Sequence, residues 1–276
     1  MNPMPKNLEL LEANNLTITF GGLSALKNVS FQIHNNGEIL SLIGPNGAGK
    51  TTLLNILSGF LKTNEGSVVY KGEDITRLDP FSIAYRGLLR TFQHISLFPN
   101  LTVLQNVLTG FHCKTKGGVF GAILNTKFFR KEEEGIRTNA HEILNKLDME
   151  KQKDVLAGGL SYGDQRKLGI AIALAGGPEL LLLDEPVSGM NPDESKRMMD
   201  IIRSLKASGV TILLVEHDMK VVMGISDRII VLNQGEKIAE GTPQEICQSE
   251  DVIRVYLGDT SFVMSEQTET YTYEGL

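Results

Sequence analysis

The chain has 276 residues, 27 Lys and Arg against 33 Asp and Glu, a net charge of −6 and a pI near 5.5. That length suits one α/β core carrying a lobe and buries a sizeable core, and the acidic balance argues against a dedicated nucleic-acid surface. No run approaches about 18 consecutive apolar residues, and the start MNPMPKNLELLEANN lacks the basic and apolar regions of a signal peptide.

Two cysteines, Cys113 and Cys247, are too few for a disulfide framework and read as thiols in a reducing compartment; His112 beside Cys113 is too sparse for a metal site. Leu16 to Phe20 and Val29 to Ile33 read as strands around a Gly21-Gly22 turn. Phe20 fits the core, the reading its residue type favours, although an aromatic beside a turn also suits stacking on a purine.

Residues 39 to 57, ILSLIGPNGAGKTTLLNIL, run from an apolar strand through glycines to a lysine and two threonines, then into a helical pattern. They match GxxxxGK[ST], the phosphate-binding loop, in the strand, loop, helix order that its mechanism needs. Gly44, Gly47 and Gly49 let the backbone N–H groups close around nucleotide phosphates. Lys50 reaches the β- and γ-phosphates, Thr51 offers its hydroxyl to Mg²⁺, and the helix start faces the anion.

Ser67 to Tyr70 is a further strand, followed by a polar turn at Lys71 to Asp74, so the N-terminal part forms a strand-rich layer. From Pro80 to about Ala157 the spacing becomes helical, without apolar strands, as expected of a separate helical lobe. Within it KTKGGVFGAILNTKFFRKEEE reads as a loop and helix whose phenylalanines pack on the lobe, because Glu132, Glu133 and Glu134 cancel its positive charge.

Ser161, with Asp164 three positions on and LGIAIALA following, is a capping-box start. A plain cap and an anion site both fit these residues. Leu180 to Leu183 is a continuous apolar run, as in a central parallel strand covered on both faces, and ends in Asp184 and Glu185 where open α/β sheets place ligands. These carboxylates suit the Mg²⁺ that accompanies a nucleoside triphosphate. Asn191 then caps a helix with Pro192 in its first position, and Met198, Ile201, Ile202 and Leu205 make its core stripe, ended by Gly209. Val210 to Val215 is the next buried strand. It delivers His217 beside the nucleotide, the one histidine read as functional; His34, His94, His112 and His141 read as ordinary. Arg228 to Leu232 and Ile238 to Ala239 finish the sheet around Gly235, and residues 261 to 276 read as a mobile tail.

Taken together, GPNGAGKTT at 44 to 52, Gln93 in RTFQHISLFPNLTV, LSYGD at 160 to 164, LLLLDEP ending at Pro186, SGMNP at 188 to 192 and VEHD at 215 to 218 resemble the ordered motifs of an ABC-transporter ATPase subunit. The resemblance covers about residues 8 to 258. It implies an α/β P-loop NTPase core with a mixed, mainly parallel sheet, an N-terminal antiparallel β layer and an α-helical subdomain. The core would span about 8–92 and 176–258 and the subdomain about 93–175. Within that family ATP would be held by Phe20 stacking on adenine and by the loop Gly44, Pro45, Asn46, Gly47, Ala48, Gly49, Lys50, Thr51 and Thr52. Thr51, Gln93 and Asp184 would serve Mg²⁺, Glu185 would act as general base, and His217 would sense the γ-phosphate. The signature Ser161, Tyr162, Gly163 and Asp164 would meet the ATP of an opposite subunit. Tyr162 and Asp164 depart from the commoner LSGGQ, as Asn191 departs from SALD.

The stretches LSYGDQRKLGIA, DEPVSGMNP and VEHDMKVVMGISDRIIVLNQG look most like the larger ATPase subunit of branched-chain amino acid importers. The resemblance implies a second ATPase, two membrane permease subunits, an extracytoplasmic amino-acid-binding protein, no nucleic acid, and a peripheral position on the cytoplasmic face of the inner membrane. A lipopolysaccharide-type export ATPase and a urea or amide importer are the alternatives. A soluble ABC ATPase of translation or repair fits less well, since the chain has neither a second core nor a long coiled coil.

Overall fold

The computed structural model describes residues 9–91, 97–113 and 127–256, without the side chains of 113, 127–132 and 256. In chain order the first elements are β1 (Glu9–Phe20), β2 (Leu23–His34), β3 (Ile39–Ile43), α1 (Lys50–Leu57), β4 (Glu65–Tyr70), β5 (Glu73–Asp74), α2 (Pro80–Tyr85), β6 (Leu88–Arg90) and α3 (Val103–Gly110). There follow α4 (Lys127–Lys146), α5 (Tyr162–Ala175), β7 (Leu180–Asp184), α6 (Pro192–Ala207), β8 (Thr211–Val215) and α7 (Met219–Ile225). β9 (Arg228–Asn233), β10 (Glu236–Gly241), α8 (Pro243–Gln248) and α9 (Glu250–Tyr256) complete the described chain.

Two sheets result. One is antiparallel, in the order β2-β1-β4-β5, and the other runs β10-β9-β3-β8-β7-β6. In the second sheet β9, β3, β8, β7 and β6 are parallel, and β10 closes one edge antiparallel to β9. β7 and β8 pair from Leu180 opposite Thr211 to Asp184 opposite Val215, so both strands end at the same level.

The apolar run of β7 shows why these strands need no polar face. Leu180 and Leu182 enter the core between the two sheets, with Leu53, Leu54 and Leu57 of α1. Leu181 and Leu183 enter the core on the other face, with Met198, Ile202 and Leu205 of α6 and with Val103, Val107, Ala140, Leu144 and Leu168 of the helical lobe. All four leucines are fully buried, each contributing about 1.5–3 kcal/mol. The lobe therefore shares one continuous core with the sheet.

Several sequence expectations need correction. The stretch after Pro80 does contain a strand, β6, which pairs with β7. At three residues, LLR, it is too short to show a period. Lys71 to Asp74 is only half turn: Lys71 and Gly72, with φ of 52° and 79°, turn the chain, and Glu73 and Asp74 pair back on β4. β1 and β2 extend well beyond the expected strands; in β1 the stretch ELLEANN breaks strict alternation, with Leu10 and Leu11 both buried, and register shifts at Glu9/Leu11 and Ala13/Leu16 accommodate it. In the α6 stripe Ile201 is half-buried, whereas Met198, Ile202 and Leu205 are in the core. The phenylalanines expected to pack on the lobe, His94 and the tail from 261 lie outside the described residues or side chains.

Candidate functional site

β3 is buried along its whole length and stops at Ile43, so the chain leaves the sheet at its C-terminal edge. Gly44 then takes φ +152°, and a Cβ there would lie 2.2 Å from the Leu232 carbonyl oxygen. Gly49 takes φ +105°, and its Cβ would meet the Ala25 carbonyl oxygen at 2.6 Å. Only glycine lets the loop approach these neighbours. The Ala48 N–H donates to the Pro45 carbonyl at 3.1 Å, and the Gly235 N–H donates to the Ala48 carbonyl at 3.1 Å, fixing the loop to the β9–β10 turn. Asn46, Gly47 and Thr51 are exposed, Pro45 and Thr52 half-buried. The first turn of α1 carries no acidic residue, so the helix itself sets no negative charge against an anion at its N–H groups.

Lys50 is buried and folds back over this loop, donating to the Gly44 carbonyl at 2.6 Å and the Pro45 carbonyl at 3.1 Å. Burial lowers its pKa, opposed by the nearby charges of Glu185 and Asp184. The phosphate loop and the two carboxylates thus belong to one electrostatic site. Asp184 ends β7 and is held at 3.0 Å by Arg90 of β6, whose guanidinium also donates to Asn55 Oδ1 of α1 at 2.7 Å and to Oγ of Ser58, the residue capping α1, at 3.2 Å. Glu185 follows with φ +49°, its N–H donating to the Val215 carbonyl at 2.9 Å. His217, after β8, brings Nδ1 to 3.7 Å from Glu185 Oε1 and is mostly exposed.

Ser161 caps α5 as expected: its Oγ accepts the Asp164 N–H at 3.2 Å. The reciprocal half of a capping box is replaced, because Asp164 Oδ2 takes the Ser161 hydroxyl proton at 2.9 Å. Gln152 at 3.1 Å and Lys167 at 3.0 Å hold the same carboxylate. Burial works to raise its pKa, and the hydrogen bonds from Lys167, Gln152 and Ser161 outweigh it, leaving the carboxyl below its ordinary value. Tyr162 stacks against Arg166 at 5.1 Å and faces Gly189 of the SGMNP turn, and buried Gly163 faces Glu194. The signature is therefore packed on the turn after β7, and Ser161 directs its hydroxyl at Asp164.

The structure corrects the core reading of Phe20. The residue closes β1 at the tip of the β1–β2 hairpin, past Thr17, the last β1 residue paired with β4, and is half exposed. Gln93 lies outside the described residues. Two residues with no role in the sequence reading join the site: Arg90, which nothing in RGLLRTF distinguishes, and Glu216, fully buried between Glu185 and His217. Asp184 and Thr51 are hard oxygen donors of the kind Mg²⁺ takes. Two protein oxygens of this kind suit Mg²⁺, which keeps waters and takes phosphate oxygens besides one or two protein donors.

A family model described as ABC transporter matches residues 26–188, more than half the chain. The chain belongs to the ABC transporter family. A second model, described as branched-chain amino acid ATP-binding cassette transporter, matches residues 236–260. The high-affinity branched-chain amino acid transport ATP-binding protein LivG of Salmonella typhimurium is 46% identical over 91% of this chain and 98% of its own. Among solved structures, the ADP conformation of an ATP-binding cassette of an ABC transporter superposes with TM-score 0.79 at 34% identity, over 91% of this chain and 100% of that one. A dimeric, post-hydrolysis cassette bound to ADP and Pi gives 0.70 at 30% identity, over 84% and 98%. As an ABC cassette the chain is a nucleotide-binding ATPase, and no described helix is long and apolar enough to cross a membrane.

Proposed function

We propose that this ATPase energises an importer of branched-chain amino acids from the cytoplasmic face of the membrane. It would pair with a second ATPase beneath two permease subunits served by an extracytoplasmic amino-acid-binding protein. The observation that carries the chemistry is the meeting of Lys50, Asp184, Glu185 and His217 at the C-terminal ends of three adjacent parallel strands. The substrate class is supported by the match of residues 236–260 and by the kinship with LivG.

In this reading the nucleotide lies along the loop from Gly44 to Thr52, with adenine against the exposed ring of Phe20. Lys50 exchanges its carbonyl contacts for the β- and γ-phosphates. Thr51 and Asp184, with Gln93, would hold Mg²⁺, which would supply positive charge to neutralise the phosphates. Glu185 orients the attacking water and takes its proton, and His217 beside it meets the γ-phosphate. Ser161 and Gly163 serve the ATP of the opposite subunit, for which the Ser161 hydroxyl turns from Asp164 to phosphate. ATP then bridges two subunits, and hydrolysis removes the bridge. The helical lobe, about 93–175, contacts the permease.

The test is to tag the Glu185→Gln variant in its host, extract it in mild detergent with ATP, and identify its companions. Two permeases, a second ATPase and an amino-acid-binding protein are expected, and a ligand screen of that binding protein then names the substrate. Recovery alone, or with ribosomes or DNA, would sink the transport reading.

A further inference from the structure

β7 and β8 end side by side, and each passes into a turn bearing a residue of the site, Glu185 after β7 and His217 after β8. Glu216 lies between these turns with no solvent exposure. Its Oε1 accepts the Val187 N–H at 3.0 Å, and its Oε2 accepts the His217 N–H at 3.2 Å. One buried carboxylate thus ties the two turns together.

The Glu185 turn needs such a tie. A glutamate at φ +49° occupies a conformation that non-glycine residues hold only where the surroundings over-determine it. Three hydrogen bonds do so: the Glu185 N–H to the Val215 carbonyl at 2.9 Å, the Ser188 N–H to the Glu185 carbonyl at 3.2 Å, and the Val187 N–H to Glu216. An apolar side chain at 216 would be cheaper to bury than a carboxylate, but it would leave the Val187 and His217 N–H groups without their acceptor.

We infer that Glu216 is a positioning residue for hydrolysis, setting the Glu185 to His217 separation and keeping the Glu185 turn left-handed. This rests on the reading of Glu185 as the general base. The 3.7 Å between Glu185 and His217 is the distance at stake. Burial raises the Glu216 carboxyl above its ordinary range, while the two N–H bonds and His217 pull it back, so the geometry is kept against an electrostatic cost. Glutamine at 216 has nearly the same shape but only one acceptor oxygen, and its amide would face one of the two N–H groups.

The experiment compares Glu216→Gln, Glu216→Asp and Glu185→Gln on the full chain, measuring ATP affinity, thermal midpoint and turnover. Glu216→Gln should lower kcat by about tenfold to a hundredfold, with nucleotide affinity and midpoint close to the parent's. Glu216→Asp, too short to span both N–H groups, should lose turnover likewise. A Glu185→Gln, Glu216→Gln pair should lose no more than Glu185→Gln alone. Normal turnover in either Glu216 variant, or nucleotide affinity and turnover falling together as a merely structural role requires, would overturn the inference. Normal turnover in Glu185→Gln would remove the base assignment and this inference with it; its loss beside a normal Glu216→Gln would remove the inference alone.

Discussion

Arg90 Nη2 lies 3.0 Å from Asp184 Oδ2, with both side chains almost wholly buried. The same guanidinium reaches Asn55 and Ser58, so it joins β6, β7 and the helix after the phosphate loop. Arg90→Ala would leave a buried carboxylate uncompensated, a change that costs about 3–5 kcal/mol. Denaturant unfolding of the variant should show that loss, with part of it recovered in Mg²⁺ and ATP. A loss below about 1 kcal/mol, the range of exposed pairs, would mean that the ion pair does not hold Asp184 in place.

Lys50 and Glu185 share one site, yet their variants should separate. Lys50→Ala removes the cation that phosphates meet and should weaken ATP binding itself; unchanged affinity would count against the phosphate-loop assignment. Glu185→Gln should bind ATP as before and lose about 10²–10⁴-fold in turnover. Equilibrium binding and single-turnover hydrolysis on both variants give the comparison.

Ser161 caps α5, so Ser161→Ala should lower stability by about 1 kcal/mol. Its larger effect should fall on turnover, while nucleotide affinity of the separate chain stays unchanged, because in the proposed function the phosphate it would serve belongs to the opposite subunit. If the separate chain binds ATP more weakly, that contact lies within one chain.

Tyr70 is fully buried, and its hydroxyl has no hydrogen-bond partner among the described residues. Burial, with Glu179 adding to it, raises its pKa well above the ordinary 10.0. The folded chain then keeps a proton that the unfolded chain loses, so this contribution is complete below pH 10 and declines as pH rises beyond it. Tyr70→Phe should leave stability near neutral pH unchanged or raise it by about 1 kcal/mol. It should also flatten the alkaline loss, and an equally steep loss in the variant would assign the alkaline effect elsewhere. Urea unfolding near neutrality and at about pH 11 measures both.

The elements legible in the sequence are those whose residues state their own constraint. β7 and β8 are short apolar runs with carboxylates at the end, α6 has Asn191, Pro192 and Glu194 in a reciprocal cap, and the phosphate loop has glycines where a Cβ would collide. What stayed hidden depends on neighbours distant in the chain. Arg90 matters because β6 lies beside β7, and a lone arginine in a three-residue strand carries no sign of that. Glu216 reads as one more acidic residue in VEHD until the turn after β7 is seen to hang from it. The core reading of Phe20 failed because burial of an aromatic is the usual outcome, whereas this one stands at a hairpin tip past the last residue of β1 paired with β4.

The four leucines of β7 have a consequence for folding. In a strand with one polar face, sliding by a residue would turn apolar side chains to water, and that penalty sets the alignment. β7 has no polar face, so a slip merely exchanges one leucine for another in each core. The residues that cannot be exchanged are Asp184, which must meet Arg90, and Glu185, which must enter the turn. The end of the strand that carries the proposed chemistry is thus also its alignment mark, and the two acids proposed to serve the nucleotide tell the strand where to stop.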